Sequence, residues 1–323
     1  MKNSILFVFA ILILFAGCNK KADIPVKPDY VIVIHGGAGS GDPASFSEER
    51  QNQYKQELGN ALAIGENILA SGGTCIEAIE KTINYLEDCP LFNAGKGAVF
   101  TNEGHNELDA SIMIGSDLSA GAVTCVKDIK NPISAAIKVM TNSEHVLLAG
   151  KGASEFAKMQ GLKIVDSTYF HTESRWKNLQ DAKLSEKHGT VGCVVLDKYG
   201  NLAAGTSTGG RTNKRYNRIG DSPIIGAGNY ANNNTCAISG TGHGEFFIRY
   251  TVAHDISALM EYKNMSLMEA SNIVIMDKLA NVNGEGGIIG VDKNGNIAMV
   301  FNTTLMFRAY AKSTGEKDIA IFK

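Results

Sequence analysis

Thr190 is a candidate nucleophile. It stands in His188-Gly189-Thr190-Val191-Gly192, where a polar stretch gives way to an apolar, β-branched run. A threonine hydroxyl is a weak nucleophile unless a base lies beside it. Cleavage of the chain before Thr190 would make that residue's own α-amine the base. An α-amine titrates near ~7.7–8.0, so much of it is neutral at working pH. Gly189 suits such a cut because it leaves its carbonyl unhindered and accepts strained dihedrals. A β-branched residue opening a strand also suits a plain hairpin, so the chemical reading depends on what surrounds it.

Three clusters could supply those surroundings. Thr206-Ser207-Thr208-Gly209-Gly210 adds hydroxyls next to a turn. Arg218 and Asp221 follow in a glycine-containing loop. An arginine can hold a carboxylate through two parallel bonds and an aspartate can hold an ammonium, so the pair suits the two charges on an amino acid's α-carbon. A surface ion pair would look the same in sequence and contribute little. Ser239-Gly-Thr241-Gly242-His243-Gly244-Glu245 then opens a helix. Backbone N–H groups there can face an anion or an oxyanion, although a simple capping turn has the same residues. His243, between glycines, reads as exposed rather than catalytic, and His35 in His35-Gly-Gly-Ala-Gly39 reads as structural.

Hairpins and helical stretches alternate along the chain and would position these groups. Tyr30–Ile34 reads as a buried strand ending at Gly36-Gly37, and 46–70 as a helix. Thr74 and Glu77 form a capping box opening a helix to about Asp88. Asp109–Gly115 and Ala120–Val126 read as a strand pair, and Asn131-Pro132 starts a helix. Residues 163–188 read as a mobile linker. Val194–Ala203 and Ile289–Ala298 are near-repeats, each a strand, an Asp-Lys-x-Gly-Asn turn and a strand. Between them lie helices at about 244–262 and 266–282, the second opened by a Ser266/Glu269 capping box, with Met260, Met268 and Met276 reading as core. Strands apolar on both faces call for sheets covered on both sides. A four-layer αββα sandwich meets that need, as does a doubly wound α/β fold.

Composition narrows the classes further. The 323 residues carry 31 Lys+Arg against 33 Asp+Glu, a net charge of −2, so no basic excess points to nucleic acid. No C-x-x-C pair or H-E-x-x-H occurs, which removes the usual support for zinc or thioredoxin-like readings. Lys2 precedes twelve apolar residues, Ile5–Ala16, fewer than the roughly 20 that a spanning helix needs. Residues 1–17 read as a secretory signal. Ala16-Gly17-Cys18 is similar to a bacterial lipoprotein signal, with Phe15 where leucine is usual. Cys18 would then carry a lipid, residues 18–29 would form a tether, and the protein would be exported to the periplasm or cell surface. Five cysteines remain, which cannot all pair within one chain, and buried thiols acting as small hydrophobes fit them better.

Taken together, the motifs resemble the plant-type L-asparaginase/isoaspartyl peptidase family of N-terminal-nucleophile hydrolases. The likeness rests on His35-Gly-Gly-Ala-Gly39, Cys89-Pro-Leu-Phe-Asn-Ala-Gly95, Glu107-Leu-Asp-Ala110, His188-Gly-Thr-Val-Gly192, Thr206-Ser-Thr-Gly-Gly210, Arg218-Ile-Gly-Asp-Ser-Pro223 and Phe301-Asn-Thr303. It implies the αββα fold, autocleavage between Gly189 and Thr190, and a dimer of two-chain protomers (30–189 and 190–323). Thr190 would be nucleophile and base, with Thr208 supporting its hydroxyl. Arg218 would hold the substrate α-carboxylate and Asp221 its α-amine. Thr241 and Gly242 would form the oxyanion hole, with Gly244 in the same substrate loop. Substrates would be L-asparagine and β-aspartyl (isoaspartyl) peptides, dipeptides among them. No cofactor enters the catalysis. The loop Leu86–Lys96 resembles the family's sodium loop, with Leu86, Glu87, Cys89, Phe92, Ala94 and Lys96 supplying carbonyls to a structural sodium ion and Asn93 fixing the nucleophile region.

Two departures stand out. Tyr216-Asn217 replaces the Pro-Gly usual before the arginine, and Lys96 stands where an apolar residue is usual. Within the fold the rival is glycosylasparaginase, whose pattern has Asp before the threonine and Thr-Asn-Gly where this chain has Thr208-Gly209-Gly210. Outside it, Gly205-Thr-Ser207-Thr-Gly209 matches the G-x-S-x-G of serine esterases, though a polar loop follows where a helix should. A surface lipoprotein that binds a ligand through the same glycine loops would stay one uncut chain without turnover.

Overall fold

The structure, a computed structural model, describes residues 27–182 and 189–323. The expected signal segment and Cys18 lie outside the described residues, as do 183–188. Among the described residues, eight strands form the larger sheet. Their spatial order is β12 (Lys317–Phe322), β11 (Leu305–Lys312), β1 (Val31–Gly39), β5 (Val191–Leu196), β6 (Leu202–Thr208), β2 (Leu108–Ile114), β3 (Ala120–Val126) and β4 (Leu147–Ala149). The smaller sheet runs β10 (Ile297–Phe301), β9 (Gly286–Asp292), β8 (Cys236–Gly242) and β7 (Asn229–Ala231). Pairing is antiparallel except between β3 and β4.

Side-chain alternation builds the layers. On β1, Ile32 and Ile34 face α1 (Glu48–Ala70) and α2 (Cys75–Asp88), packing with Leu62, Ile79 and Ile83. Val31 and Val33 face the other way and meet Val194, Ile289 and Val291 between the sheets. A third core joins Ile238 and Ile288 to α7 (Val252–Lys263) and α8 (Leu267–Asn272) through Ile256 and Ala270. The result is the αββα sandwich, with α3 (Pro132–Asn142) and α4 (Gly150–Met159) completing the layer on the larger sheet. Strands from before and after Gly189 alternate in that sheet, with β1 lying between β11 and β5. A cut there would leave two interlocked pieces.

The near-repeats form matching hairpins, one in each sheet. Asp197 Oδ1 accepts from Tyr199 N at 3.0 Å and Asn201 N at 2.9 Å. Asp292 Oδ1 accepts from Asn294 N at 2.8 Å and Asn296 N at 2.9 Å. Gly200 and Gly295 both take φ of 82°. Both capping boxes are complete. The thiols of Cys75, Cys89, Cys193 and Cys236 are buried and free, and Cys125 is free and half-buried.

Four expectations need correction. The stretch 163–188 is not wholly a linker. It contains α5 (Glu173–Ala182), held where Trp176 stands edge-on to Phe100 at 5.1 Å and Arg175 Nη2 donates to Leu91 O at 2.9 Å. The helix expected over 244–262 is divided into α6 (Gly244–Tyr250) and α7, with Thr251 between them in the left-handed region at φ 46°. Met268 and Met276 are exposed rather than core. The end of the expected tether is docked, with Pro28 against the Gly295 turn and Asp29 N donating to Ser313 Oγ at 2.7 Å.

Candidate active site

Thr190 sits at the start of β5, buried, beside the end of β6. Its Oγ1 lies 2.8 Å from Gly189 O and 3.2 Å from Thr208 Oγ1. Thr208 Oγ1 donates to Gly189 O at 3.1 Å and accepts from Gly210 N at 2.9 Å. Asn93 completes the arrangement. Its Nδ2 donates to Gly189 O at 2.6 Å and to Gly210 O at 2.7 Å, while Oδ1 accepts from Val99 N at 2.9 Å. Both amide hydrogens and the amide oxygen are used, so the side chain has one orientation. The carbonyl of Gly189 therefore receives two donors besides Thr190, which polarise it toward attack.

Gly189, Thr190, Thr208, Arg218, Asp221 and Gly242 line one cleft of about 10 Å³. Asp221 is buried, and burial pushes its carboxyl up to about 7, against the opposing pull of Arg218. Its Oδ2 has no hydrogen-bond partner. An unpaired buried acceptor costs free energy and awaits a donor. A Cβ at Gly244 would fall 2.8 Å from both Arg218 Nη2 and Asp221 Oδ1, so any side chain there would displace the pair. Thr241 is fully buried, and its Oγ1 accepts from Ala38 N at 3.1 Å. The hydroxyl's own hydrogen is thus available to donate.

Glu245, to which the sequence assigned no role, grips Arg218. Nε donates to Oε1 and Nη2 to Oε2, both at 2.8 Å. Partial burial pushes the Glu245 carboxyl up, but Arg218's bonds and charge prevail and hold it at about 2. The bidentate geometry is the one expected for a substrate carboxylate, here made by the chain itself.

His35 is structural, as its sequence context suggested. It is fully buried, and burial lowers it to about 3, so the ring is neutral. Its Nδ1 lies 3.2 Å from Thr190 O, which can only accept, so that nitrogen carries the hydrogen. Nε2 then accepts from Ser239 Oγ at 3.1 Å, tying β1 to both sheets. His243 is half-buried at the rim, between Arg211 and Glu245.

The asparaginase family matches residues 28–321 of this chain. The chain belongs to that family. An isoaspartyl peptidase of Salmonella typhimurium is 44% identical, the match covering 91% of this chain and 98% of the relative. One of Escherichia coli is 44% identical, covering 91% and 96%. An isoaspartyl peptidase/L-asparaginase of Bos taurus is 41% identical, covering 87% and 93%.

Within this asparaginase-family fold, Ser207 points away from the cleft. It is fully buried on the helix face of β6, and its Oγ donates to Glu87 Oε1 at 2.7 Å. Burial pushes that carboxyl up to about 8. The serine-esterase reading fails on this geometry. Ser207→Ala is therefore expected to keep turnover within about twofold. It should cost about 1–3 kcal/mol of stability by stripping a partner from a buried carboxyl, as read by denaturant melts beside steady-state rates.

The loop Leu86–Lys96, to which the family likeness assigns a cation on backbone oxygens, is tightly folded. Cβ atoms at Gly95 and Gly97 would strike the carbonyl oxygens of Glu87 and Phe92, so glycine is what lets the loop's backbone pack this closely. Neutral carbonyl oxygens suit a hard, singly charged ion. The Lys96 ammonium, a concern from sequence, lies 5.5 Å over the Tyr169 ring.

Proposed function

We propose that this chain is an isoaspartyl peptidase and L-asparaginase working through Thr190. The observation that carries the reading is the Gly189 carbonyl, held by Asn93 and Thr208 beside the Thr190 hydroxyl, in one cleft with Arg218 and Asp221. In the uncut chain, Thr190 Oγ1 adds to the Gly189 carbonyl carbon. The C–N bond breaks, the hydroxyl proton ends on the departing nitrogen, and an ester links Gly189 to Thr190 Oγ1. Water hydrolyses that ester, leaving a Gly189 carboxylate and a Thr190 that has both a free amine and a free hydroxyl.

The cut does two things. It makes the base, and it frees the space Gly189 fills, since a cleft of about 10 Å³ holds no more than about one water. A substrate then places its α-carboxylate on Arg218 and its α-ammonium on Asp221, whose unpartnered Oδ2 gains a donor. The Thr190 amine takes the hydroxyl proton as Oγ1 attacks the side-chain carbonyl. Gly242 N–H and the Thr241 hydroxyl receive the developing oxyanion, and Gly244 leaves room for the α-carbon. Ammonia or an amino acid departs with the proton. Water, activated by the same amine, releases aspartate. No cofactor takes part.

The fuller reading has residues 30–189 and 190–323 as the two chains of a protomer that pairs into a dimer. A structural sodium ion would sit on the carbonyls of Leu86–Lys96 and steady Asn93. A lipid on Cys18 would hold the protein at a bacterial membrane. No helix among the described residues is long and apolar enough to cross one. Gly189 and Thr208-Gly209-Gly210 favour this activity over glycosylasparaginase.

The test is intact mass and N-terminal sequencing of purified protein, followed by aspartate release from L-asparagine and β-aspartyl dipeptides. A new terminus reading Thr-Val-Gly-Cys-Val with turnover is expected. A stable single chain that turns substrate over would overturn the mechanism.

A further inference from the structure

A buried polar chain runs between the two sheets to Thr190, and the mechanism above does not use it. His35 lies on the same face of β1 as Val31 and Val33. It is fully buried, as are Thr206 and Ser239. Their hydrogens run in one consistent direction. The His35 Nδ1–H goes to Thr190 O at 3.2 Å, which leaves Nε2 to accept from Ser239 Oγ at 3.1 Å. Ser239 has then spent its only hydrogen. Thr206 Oγ1 therefore donates across the 2.7 Å contact between the two hydroxyls, in preference to Gly228 O at 3.3 Å. Donors from β6, β8 and β1 thus act in series and end on the carbonyl of the nucleophile.

The neighbouring backbone makes room for this chain. Gly192 pairs with His35, and a Cβ there would fall 2.1 Å from Ser239 Oγ and 2.3 Å from His35 Nε2. The pairing of β1 with β11 shifts register between His35 and Gly37, and such a bulge bends the strand. Thr190 itself lies beyond the strand ladders, since β5 pairs with β1 as far as Gly192 and with β6 as far as Val191. Its carbonyl is held by a side chain instead. In the uncut chain, Asn93 and Thr208 also hold the nucleophile from its other side, through the Gly189 carbonyl. Cleavage removes that tie. The Thr190–Val191 peptide is then the last fixed plane before the free amine, and any tilt of it swings the amine and Oγ1 together.

We propose that His35 is a positioning residue for the cut enzyme. By holding Thr190 O through its Nδ1–H, with Ser239 and Thr206 fixing the tautomer, it keeps the amine and hydroxyl of Thr190 aimed at the substrate carbonyl. It takes up no proton in the reaction. The inference rests on the function proposed above. A small misplacement of a reacting group costs up to about 10²-fold in rate. The effect belongs in kcat rather than in KM, which Arg218 and Asp221 set.

The test uses two replacements that each keep one of the ring's two bonds. His35→Asn places an amide donor where Nδ1 stood and loses Ser239. His35→Gln reaches Ser239 and loses Thr190 O. Both should still cut themselves, because Asn93 and Thr208 hold Gly189 O without His35. Asparagine is the smaller side chain, leaves the larger cavity and should melt lower. Its kcat on L-asparagine and β-aspartyl dipeptides should nonetheless stay within about threefold of wild type, while that of His35→Gln falls by about 10–10²-fold with KM little changed. Activity that follows stability, with His35→Asn the poorer enzyme, or an equal loss in both, would mean that His35 only fills the core and would sink this inference alone. The wild-type enzyme with isotope-labelled histidine gives a readout that needs no variant. Its nitrogen spectrum should show a pH-insensitive, neutral ring protonated at Nδ1, and an Nε2–H tautomer for that ring would overturn the inference. A wild type that neither cuts nor turns over substrate would sink the function beneath it.

Discussion

Thr190→Ala is expected to remain one uncut chain and to turn over neither L-asparagine nor a β-aspartyl dipeptide. The variant lacks the atom that attacks Gly189, and so never gains the amine that would serve as base. Removing the nucleophile of a catalytic set costs on the order of 10⁶ in kcat, which puts turnover below detection. Folding should survive, because Thr208 Oγ1 keeps Gly189 O and Gly210 N as partners. Thr190→Ser keeps a hydroxyl and should still cut and turn over, more slowly. Asn93→Ala separates the two stages. It removes the 2.6 Å donor to the Gly189 carbonyl, and losing one such donor slows attack by about 10²–10³. Intact mass over hours to days at neutral pH reads all three. A Thr190→Ala chain that cuts itself, or acts on asparagine, would end the assignment.

Much of this molecule was legible from short stretches, because the physics there is local. An aspartate that caps its own turn and a glycine at positive φ need nothing beyond five residues, so both Asp-Lys-x-Gly-Asn hairpins were readable. So were the capping boxes at Thr74 and Ser266. What escaped depended on contacts made at a distance. The helix at Glu173–Ala182 is polar and is held by Phe100 and Leu91, far away in sequence. The break at Thr251 has no glycine to announce it. Met260 belongs to α7 and Met268 to α8, two helices divided by a left-handed Asn264, and a π-helical run at Ile273–Leu279 shifts the register between Met268 and Met276. They cannot all face one core. In the site, the residue types named Thr190, Arg218 and Asp221 as candidates, and the family likeness assigned their roles. Glu245 escaped because its meaning is its grip on Arg218, which only the fold creates.

Asp221→Asn is expected to trade activity for stability. Asparagine cannot offer the substrate ammonium a negative charge. Losing one partner of a buried charge pair costs about 2–5 kcal/mol, so kcat/KM on both substrates should fall by about 10²–10³ or more. Stability should move the other way. Burial pushes the Asp221 carboxyl up to about 7 in the folded protein, whereas an unfolded aspartate titrates near ~3.9. Between those values the folded protein holds a proton that the unfolded chain has lost. Stability therefore falls as pH rises through that window, and above about 7 the whole penalty is present. Asparagine carries no such penalty. The ligand-free variant should melt a few degrees above wild type at pH 8, with the gap closing toward pH 4. Wild-type kcat/KM should also decline below about 7 as Asp221 takes up its proton, and the variant should lose that part of the profile, leaving the Thr190 amine to set the acid limb. Equal melting at every pH together with unchanged kcat/KM would mean that Asp221 is neither strained by burial nor the seat of the ammonium. A loss of activity without a gain in stability would mean that Asp221 meets the substrate while its charge is already balanced in the free enzyme.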